Sequence, residues 1–248
     1  MHLEFGSGSD GNVASDVCVC AGDIGLLCDS HQRKLLLEHF KGRKDLAEHV
    51  IWVLGNHEFY DMDYNEGLAF AADLADQAGV ILMDEALGTD NQVIDGVTFW
   101  GTTLWSDAKG DDWFARKKIA DGINDFCSIK DGVRNFSVHK MQEINRRSRE
   151  KINWDADVCV THFPPIVIPH PEFSLTDLSY YFYNTRLDQQ ICDSNIKLWL
   201  SGHTHHSAVV ELEGTICASN QHGYVRNYTD GQKWLEQSGF DPGFILEI

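Results

Sequence analysis

Four segments of this chain each end an apolar run in a side chain able to bind a metal ion. Residues 16–21 run into Gly22-Asp23, residues 50–54 into Gly55-Asn56-His57-Glu58, residues 158–161 into His162, and residues 196–200 into Gly202-His203-Thr204-His205. Together they offer one carboxylate, one amide oxygen and four imidazoles, with Glu58 as a further acid. This mixed nitrogen and oxygen inventory suits Mn²⁺, Fe or Zn²⁺ better than Ca²⁺ or Mg²⁺, which favour oxygen alone. Taken singly, each has an ordinary explanation: Asp23 as a helix cap, Asn56 as a turn residue, His162 as a satisfied core histidine. The recurrence of one layout carries the reading.

Such side chains need strands to deliver them. The apolar runs are short and rich in Val, Ile and Cys, as buried strands are, and in open α/β folds ligands gather beyond strand ends. Glycine before the polar residue at three of the four ends permits a sharp turn. Helices are expected at 30–41, opened by Asp29 or Ser30 and stopped near Gly42, and at 66–78, stopped by Gly79. Residues 93–99 read as a hairpin about Asp95-Gly96, and 209–217 as another about Glu213-Gly214. Residues 108–153 look mostly helical, and Pro164-Pro165 and Pro169-His170-Pro171 mark an extended loop. Helix-linked strands mixed with hairpins predict sheets covered by helices, an α/β or α+β layered arrangement.

Composition narrows the chemistry. The formal charge of −18, from 38 acidic against 20 basic residues, argues against coating nucleic acid through phosphate neutralisation. The basic run Arg146, Arg147, Arg149, Lys151 lies opposite Met141, Ile144, Ser148 and Ile152 in a helical pattern and reads as a solvated helix face. Seven cysteines lack paired zinc spacing, and Cys18, Cys20 and Cys159 alternate with valines as small core residues. No apolar stretch spans a bilayer and the first residues lack a secretory pattern, so a soluble, cytoplasmic protein of one domain, 1–248, is expected.

In order and spacing, the four strand ends resemble the signature of the calcineurin-like metallophosphoesterases: Asp-x-His, Gly-Asp, Gly-Asn-His-Asp/Glu, a lone His, and Gly-His-x-His. The resemblance implies a four-layer α/β/β/α sandwich with a centre of two divalent ions, Mn²⁺ or else Fe, Zn or Ni. It implies that Asp23 bridges both ions, that Asn56, His162 and His203 complete one, and that His205, with His2, serves the other. His57 would then aid the leaving oxygen while hydroxide held between the ions attacks phosphorus in line, with Glu58 orienting His57. Metal charge would also supply the local positive potential that an acidic surface lacks.

One motif departs from the pattern. His2 matches the histidine of Asp-x-His, and neither the aspartate nor the strand before it stands in the sequence. This reads as a start at an internal methionine, with natural loss as the alternative. Either way the first strand would be lacking and a sheet edge unpaired, with the His2/His205 ion weakly held or empty and His2 on a frayed terminus.

A small phosphodiester or phosphomonoester is the expected substrate. The alternatives are a protein serine/threonine phosphatase and a non-catalytic metal-binding protein. Nucleic acid and membrane are not expected partners. Aromatic side chains near the strand ends, at 59–60, 104–107, 163–170 and 180–184, either stack on substrate or pack the helical, cap-like insertion of 108–153 against the sandwich.

Overall fold

Alternation along each strand decides what its two faces meet. The computed structural model describes residues 2–5, 13–168, 174–227 and 233–248. Its smaller sheet is parallel, with β1 (Ser15–Ala21), β2 (Ala47–Val53) and β3 (Ile81–Leu82) in that order. The larger has six strands in the order β10 (Ala208–Leu212), β11 (Thr215–Ser219), β9 (Leu198–Leu200), β8 (Val158–Thr161), β5 (Val97–Thr102) and β4 (Asn91–Ile94). Its central four run parallel, and an antiparallel hairpin closes each margin.

Ile51, Val53, Phe99, Val158, Val160, Leu198 and Ala218 meet between the two sheets. The residues between them in sequence point the other way. Val50, Trp52 and Leu54 pack with Leu36 and Phe40 of α1 (Ser30–Lys44) and Leu68, Ala71 and Leu74 of α2 (Tyr64–Ala78). On the far side, Trp100, Cys159, Trp199 and Cys217 are covered by Ile191 of α6 (Asp188–Cys192) and by Ile166, Tyr183 and Leu187 from loops. The order is thus α/β/β/α, as expected. Each buried aliphatic or aromatic side chain contributes about 1.5–3 kcal/mol.

Both expected hairpins form. Asp95 and Gly96 take φ of 51° and 87°, and Glu213 and Gly214 take 46° and 98°, the left-handed pairs that a two-residue turn needs to match strand twist. α2 starts at Tyr64 because Asp63 accepts from the amides of Asn65 and Glu66, and it stops at Gly79. α1 is capped by Asp29 but runs through Gly42, its expected stop, to Lys44. A helical glycine costs only about 1 kcal/mol relative to alanine. Lys44 Nζ then donates to Gly79 O at 2.8 Å, tying the end of α1 to that of α2.

Residues 108–153 contain α3 (Trp113–Gly122), α4 (Asp125–Ser128), a small hairpin of β6 (Lys130–Asp131) and β7 (Arg134–Asn135), and α5 (Val138–Glu150). Their Phe126, Phe136, Met141 and Ile144 share a core with Trp52, Phe59 and Trp105. The basic run on α5 is more than a solvated face. Arg147 and Lys151 converge on buried Glu85, at 2.7 and 3.5 Å, and Arg149 meets Asp107 at 3.2 Å.

β1 is hydrogen-bonded to β2 and, among the described residues, carries no strand on its other side. The cysteines are free, with Cys20, Cys159 and Cys217 buried. The expected loop at Pro169-His170-Pro171 lies outside the described residues. Among those described, no helix is long and apolar enough to cross a membrane.

Candidate metal centre

The strand ends of both sheets converge through turns that hold no spare space. Gly22 has φ of 82°, and a Cβ there would press on the His162 ring and the Gly55 backbone. At Gly55 the need is close approach rather than conformation: a Cβ would fall within 3.0 Å of Asp23 and of the His162 ring. Asp23, His203 and His205 themselves sit at φ of 53°, 73° and 53°, a region that costs a non-glycine residue about 1–2 kcal/mol. Hydrogen bonds hold two of them there, Asp23 N to Glu58 Oε2 at 2.9 Å and His205 N to Gln221 Oε1 at 2.6 Å.

One cluster comprises Asp23, Asn56, His162 and His203. His162 Nε2 lies 3.3 Å from Asp23 Oδ2, 3.1 Å from Asn56 Oδ1 and 3.2 Å from His203 Nδ1. His162 Nδ1 donates to Ala21 O at 2.7 Å, which directs the other ring nitrogen inward. Asn56 Nδ2 donates to Asp125 Oδ1 at 2.9 Å, which turns its oxygen inward too. His203 is wedged against Phe163, ring centroids 3.9 Å apart, and its Nε2 is buried with no hydrogen-bond partner among the described residues. Among these four inward atoms a single ring proton can satisfy only part of the acceptor capacity, whereas one cation can be shared by all.

The second cluster comprises His2, Asp23 and His205. His2 Nε2 is 2.9 Å from His205 Nε2 and 3.9 Å from Asp23 Oδ2. His205 Nδ1 is held by Glu236 Oε2 at 2.7 Å. His2 is buried, contrary to the frayed terminus expected: Leu3 N donates to Ile24 O at 2.9 Å, and Leu3 packs on the core. The donor atoms of Asp23, His162 and His203 lie within 4.8 Å of one another, as do those of His2, Asp23 and His205. Both sets have the ligand types, spacing and outer partners that a divalent transition ion takes.

His57 stands beside the second cluster, its ring 4.6 Å from that of His2. Its amide donates to Asp23 Oδ1 at 2.9 Å, its ring stacks on Tyr60 at 4.3 Å, and its Nδ1 faces Glu4 Oε1 at 2.9 Å. The carboxylate expected at this ring was Glu58. Glu58 instead accepts from the amides of Asp23, Ile24, Gly25 and Gly55, at 2.9, 2.7, 3.4 and 2.7 Å, and so clamps two of the strand-end loops together. A side chain that follows His57 in sequence turns toward its own loop's amides, and the acid reaching the ring comes from far along the chain.

Charge and burial compete at each group. Burial works against a proton on His57, yet Asp23 and Glu4 outweigh it and lift the ring to about 9. Burial lowers His2 to about 4 and holds His203 well below the ordinary histidine range, the latter helped by neighbouring His162. Glu58 is pushed up to about 7 by burial and then by the Asp23 charge.

Three acids at the centre escaped sequence reasoning: Glu4, Asp125 and Glu236. Only Glu4, two residues after His2, left any trace. The aromatic candidates divide. Phe59, Trp105 and Phe163 are buried in one core with Phe126, Phe136, Met141 and Ile144, while Tyr60 stacks on His57 and Phe182 lies against His203. His170 is outside the described residues, and buried His222 packs on Phe240.

A carboxylate shared by two imidazole clusters, at the strand ends of an α/β/β/α sandwich, is the arrangement of a candidate two-metal centre. The sequence model of the calcineurin-like phosphoesterases matches residues 8–207, and the chain belongs to that family, whose members usually bind two divalent ions and hydrolyse phosphoesters. It is 26% identical over 284 aligned residues to an uncharacterised protein of Acanthamoeba polyphaga mimivirus, covering 100% of this chain and 94% of that one. In fold it is similar to the phosphopantetheinyl hydrolase of Mycobacterium tuberculosis, with a TM-score of 0.65 at 18% identity over 84% of this chain and 79% of that one.

Proposed function

We propose that this chain hydrolyses a small phosphodiester or phosphomonoester at a centre of two Mn²⁺ ions, with residues 1–248 acting as one catalytic domain. Asp23 serves both ions. Asn56, His162 and His203 complete one, and His2 and His205 hold the other. The observation that carries this reading is the position of Asp23 Oδ2, 3.3 Å from His162 Nε2 and 3.9 Å from His2 Nε2, a carboxylate oxygen common to both imidazole sets.

Bound divalent ions supply positive charge against the phosphoryl oxygens and acidify the attacking water. The protein's own part falls to His57. With Nδ1 engaged by Glu4, its Nε2 carries the proton that the leaving oxygen needs, and the stack on Tyr60 holds the ring plane. A net charge of −18 disfavours a polyanionic substrate and leaves recognition to the centre itself.

The test is hydrolysis of bis(4-nitrophenyl) phosphate and of 4-nitrophenyl phosphate with Mn²⁺, with and without chelator. Turnover of at least one, abolished by chelator, is expected. No turnover of either with any divalent transition ion would overturn the reading.

A further inference from the structure

Glu4 lies in a 3-10 turn, Leu3–Phe5, that the Leu3 to Ile24 backbone bond fastens to the loop carrying Asp23. Its side chain is only 6% exposed. One oxygen, Oε1, lies 3.2 Å from His2 Nδ1 and 2.9 Å from His57 Nδ1, and the two rings meet edge to face with centroids 4.6 Å apart. The other, Oε2, is buried with no hydrogen-bond partner among the described residues.

An ionised carboxylate only accepts, so both Nδ1 atoms facing it must be donors. That fixes the chemistry of each ring at its far nitrogen. His2 is left with Nε2 as a lone-pair donor beside His205 and Asp23, and His57 is left with Nε2 as the atom that exchanges a proton. A buried carboxylate with one oxygen unpartnered among the described residues is costly for folding alone. Its placement is accounted for by the two rings it aims.

We propose that Glu4 is a positioning residue shared by the two halves of the centre, one oxygen holding His2 in the ring form that ligates an ion and His57 in the ring form that serves the leaving group. This rests on the two-ion reading above. Metal affinity at the His2/His205 set and proton transfer at His57 then depend on the same side chain.

The experiment compares wild type, Glu4→Ala and Glu4→Gln in the full chain by calorimetric titration with Mn²⁺, by kcat and KM for a chromogenic phosphodiester, and by thermal midpoint. Glu4→Ala should weaken one of two Mn²⁺ sites about 10–100-fold, leave the other intact, and lower kcat more than KM changes. Glu4→Gln keeps an accepting oxygen at the same reach, and it should recover Mn²⁺ affinity to within several-fold of wild type. Two Mn²⁺ bound to Glu4→Ala with wild-type affinity would overturn the proposal, as would failure of a thermally stable Glu4→Gln to recover binding. If Glu4→Ala does not fold, the Glu4→Gln comparison decides. Wild type that neither binds Mn²⁺ nor hydrolyses either ester refutes the two-ion reading itself, an outcome distinct from an active wild type indifferent to Glu4.

Discussion

Asp125 Oδ1 accepts from Asn56 Nδ2 at 2.9 Å, and this bond decides which end of the Asn56 amide faces His162. Asp125 also accepts from the hydroxyls of Tyr60, at 2.8 Å, and Tyr181. Burial raises its pKa, and the three donors work against that rise. Tyr60 stacks on His57, and the Tyr181 ring lies 5.1 Å from that of His203. α4 thus reaches into the centre through one carboxylate.

Asp125→Ala should release the Asn56 amide and weaken the ion held by Asp23, Asn56, His162 and His203 by about 10–100-fold, as loss of outer-sphere partners does elsewhere. Mn²⁺ titration against wild type, with thermal midpoints recorded on the same samples, checks it. An unchanged affinity would separate Asp125 from metal binding and leave it a purely structural acid.

His57 and His203 should separate in their effects. His57→Ala is expected to lower turnover about 10²–10⁴-fold while retaining both ions, because the ring moves a proton rather than ligating. His203→Ala and Asn56→Ala are expected to lose metal as well as turnover. Elemental analysis of the purified variants, set beside their rates, distinguishes the two patterns.

Glu58→Ala removes the acceptor for four buried amides, of Asp23, Ile24, Gly25 and Gly55. Each unsatisfied amide costs about 1–3 kcal/mol before relaxation, so a loss of about 3–5 kcal/mol is expected. Denaturant unfolding of the metal-free protein measures it without interference from bound ions. A loss under about 1 kcal/mol would contradict the clamp.

Asp84 supplies a pH dependence away from the centre. Burial, with help from neighbouring Glu85 and against Arg147, lifts its pKa from 3.8 to about 6, while its carboxylate accepts from Ala86 N at 2.8 Å and weakly from Thr102 Oγ1 at 3.4 Å. The folded pKa lies above the unfolded one, so the native state binds this proton more tightly. The contribution of Asp84 to stability therefore improves as pH falls from 7 through 6 and levels off below 4. In Asp84→Asn the amide oxygen can still accept from Ala86 N while Nδ2 donates to the Thr102 hydroxyl, so the variant should stabilise the fold at pH 7 by roughly 2–3 kcal/mol, and its advantage should fade toward pH 4. Urea midpoints across that range test the sign.

Read from the sequence alone, period-two alternation and turn residues located the strand ends, both hairpins and the end of α2. With the strand ends came the residues that converge: Asp23, Asn56, His57, His162, His203 and His205. These are local signals, because a strand's faces and a turn's backbone are dictated by neighbours within a few residues. Tertiary structure alone decided which acid meets which ring. Glu4 reaches His57 across 53 residues, Asp125 reaches Asn56 across 69, and Glu236 reaches His205 across 31. In a chain with 38 acidic residues, nothing in one dimension marks Asp125 or Glu236, and Glu4 is marked only by its place two residues after His2. Their partners are set by how α4, the Leu3–Phe5 turn and the segment carrying Glu236 pack on the sandwich. The burial of His2 was decided in the same way, by the fastening of Leu3 to Ile24, a contact between segments that no periodicity in the sequence encodes.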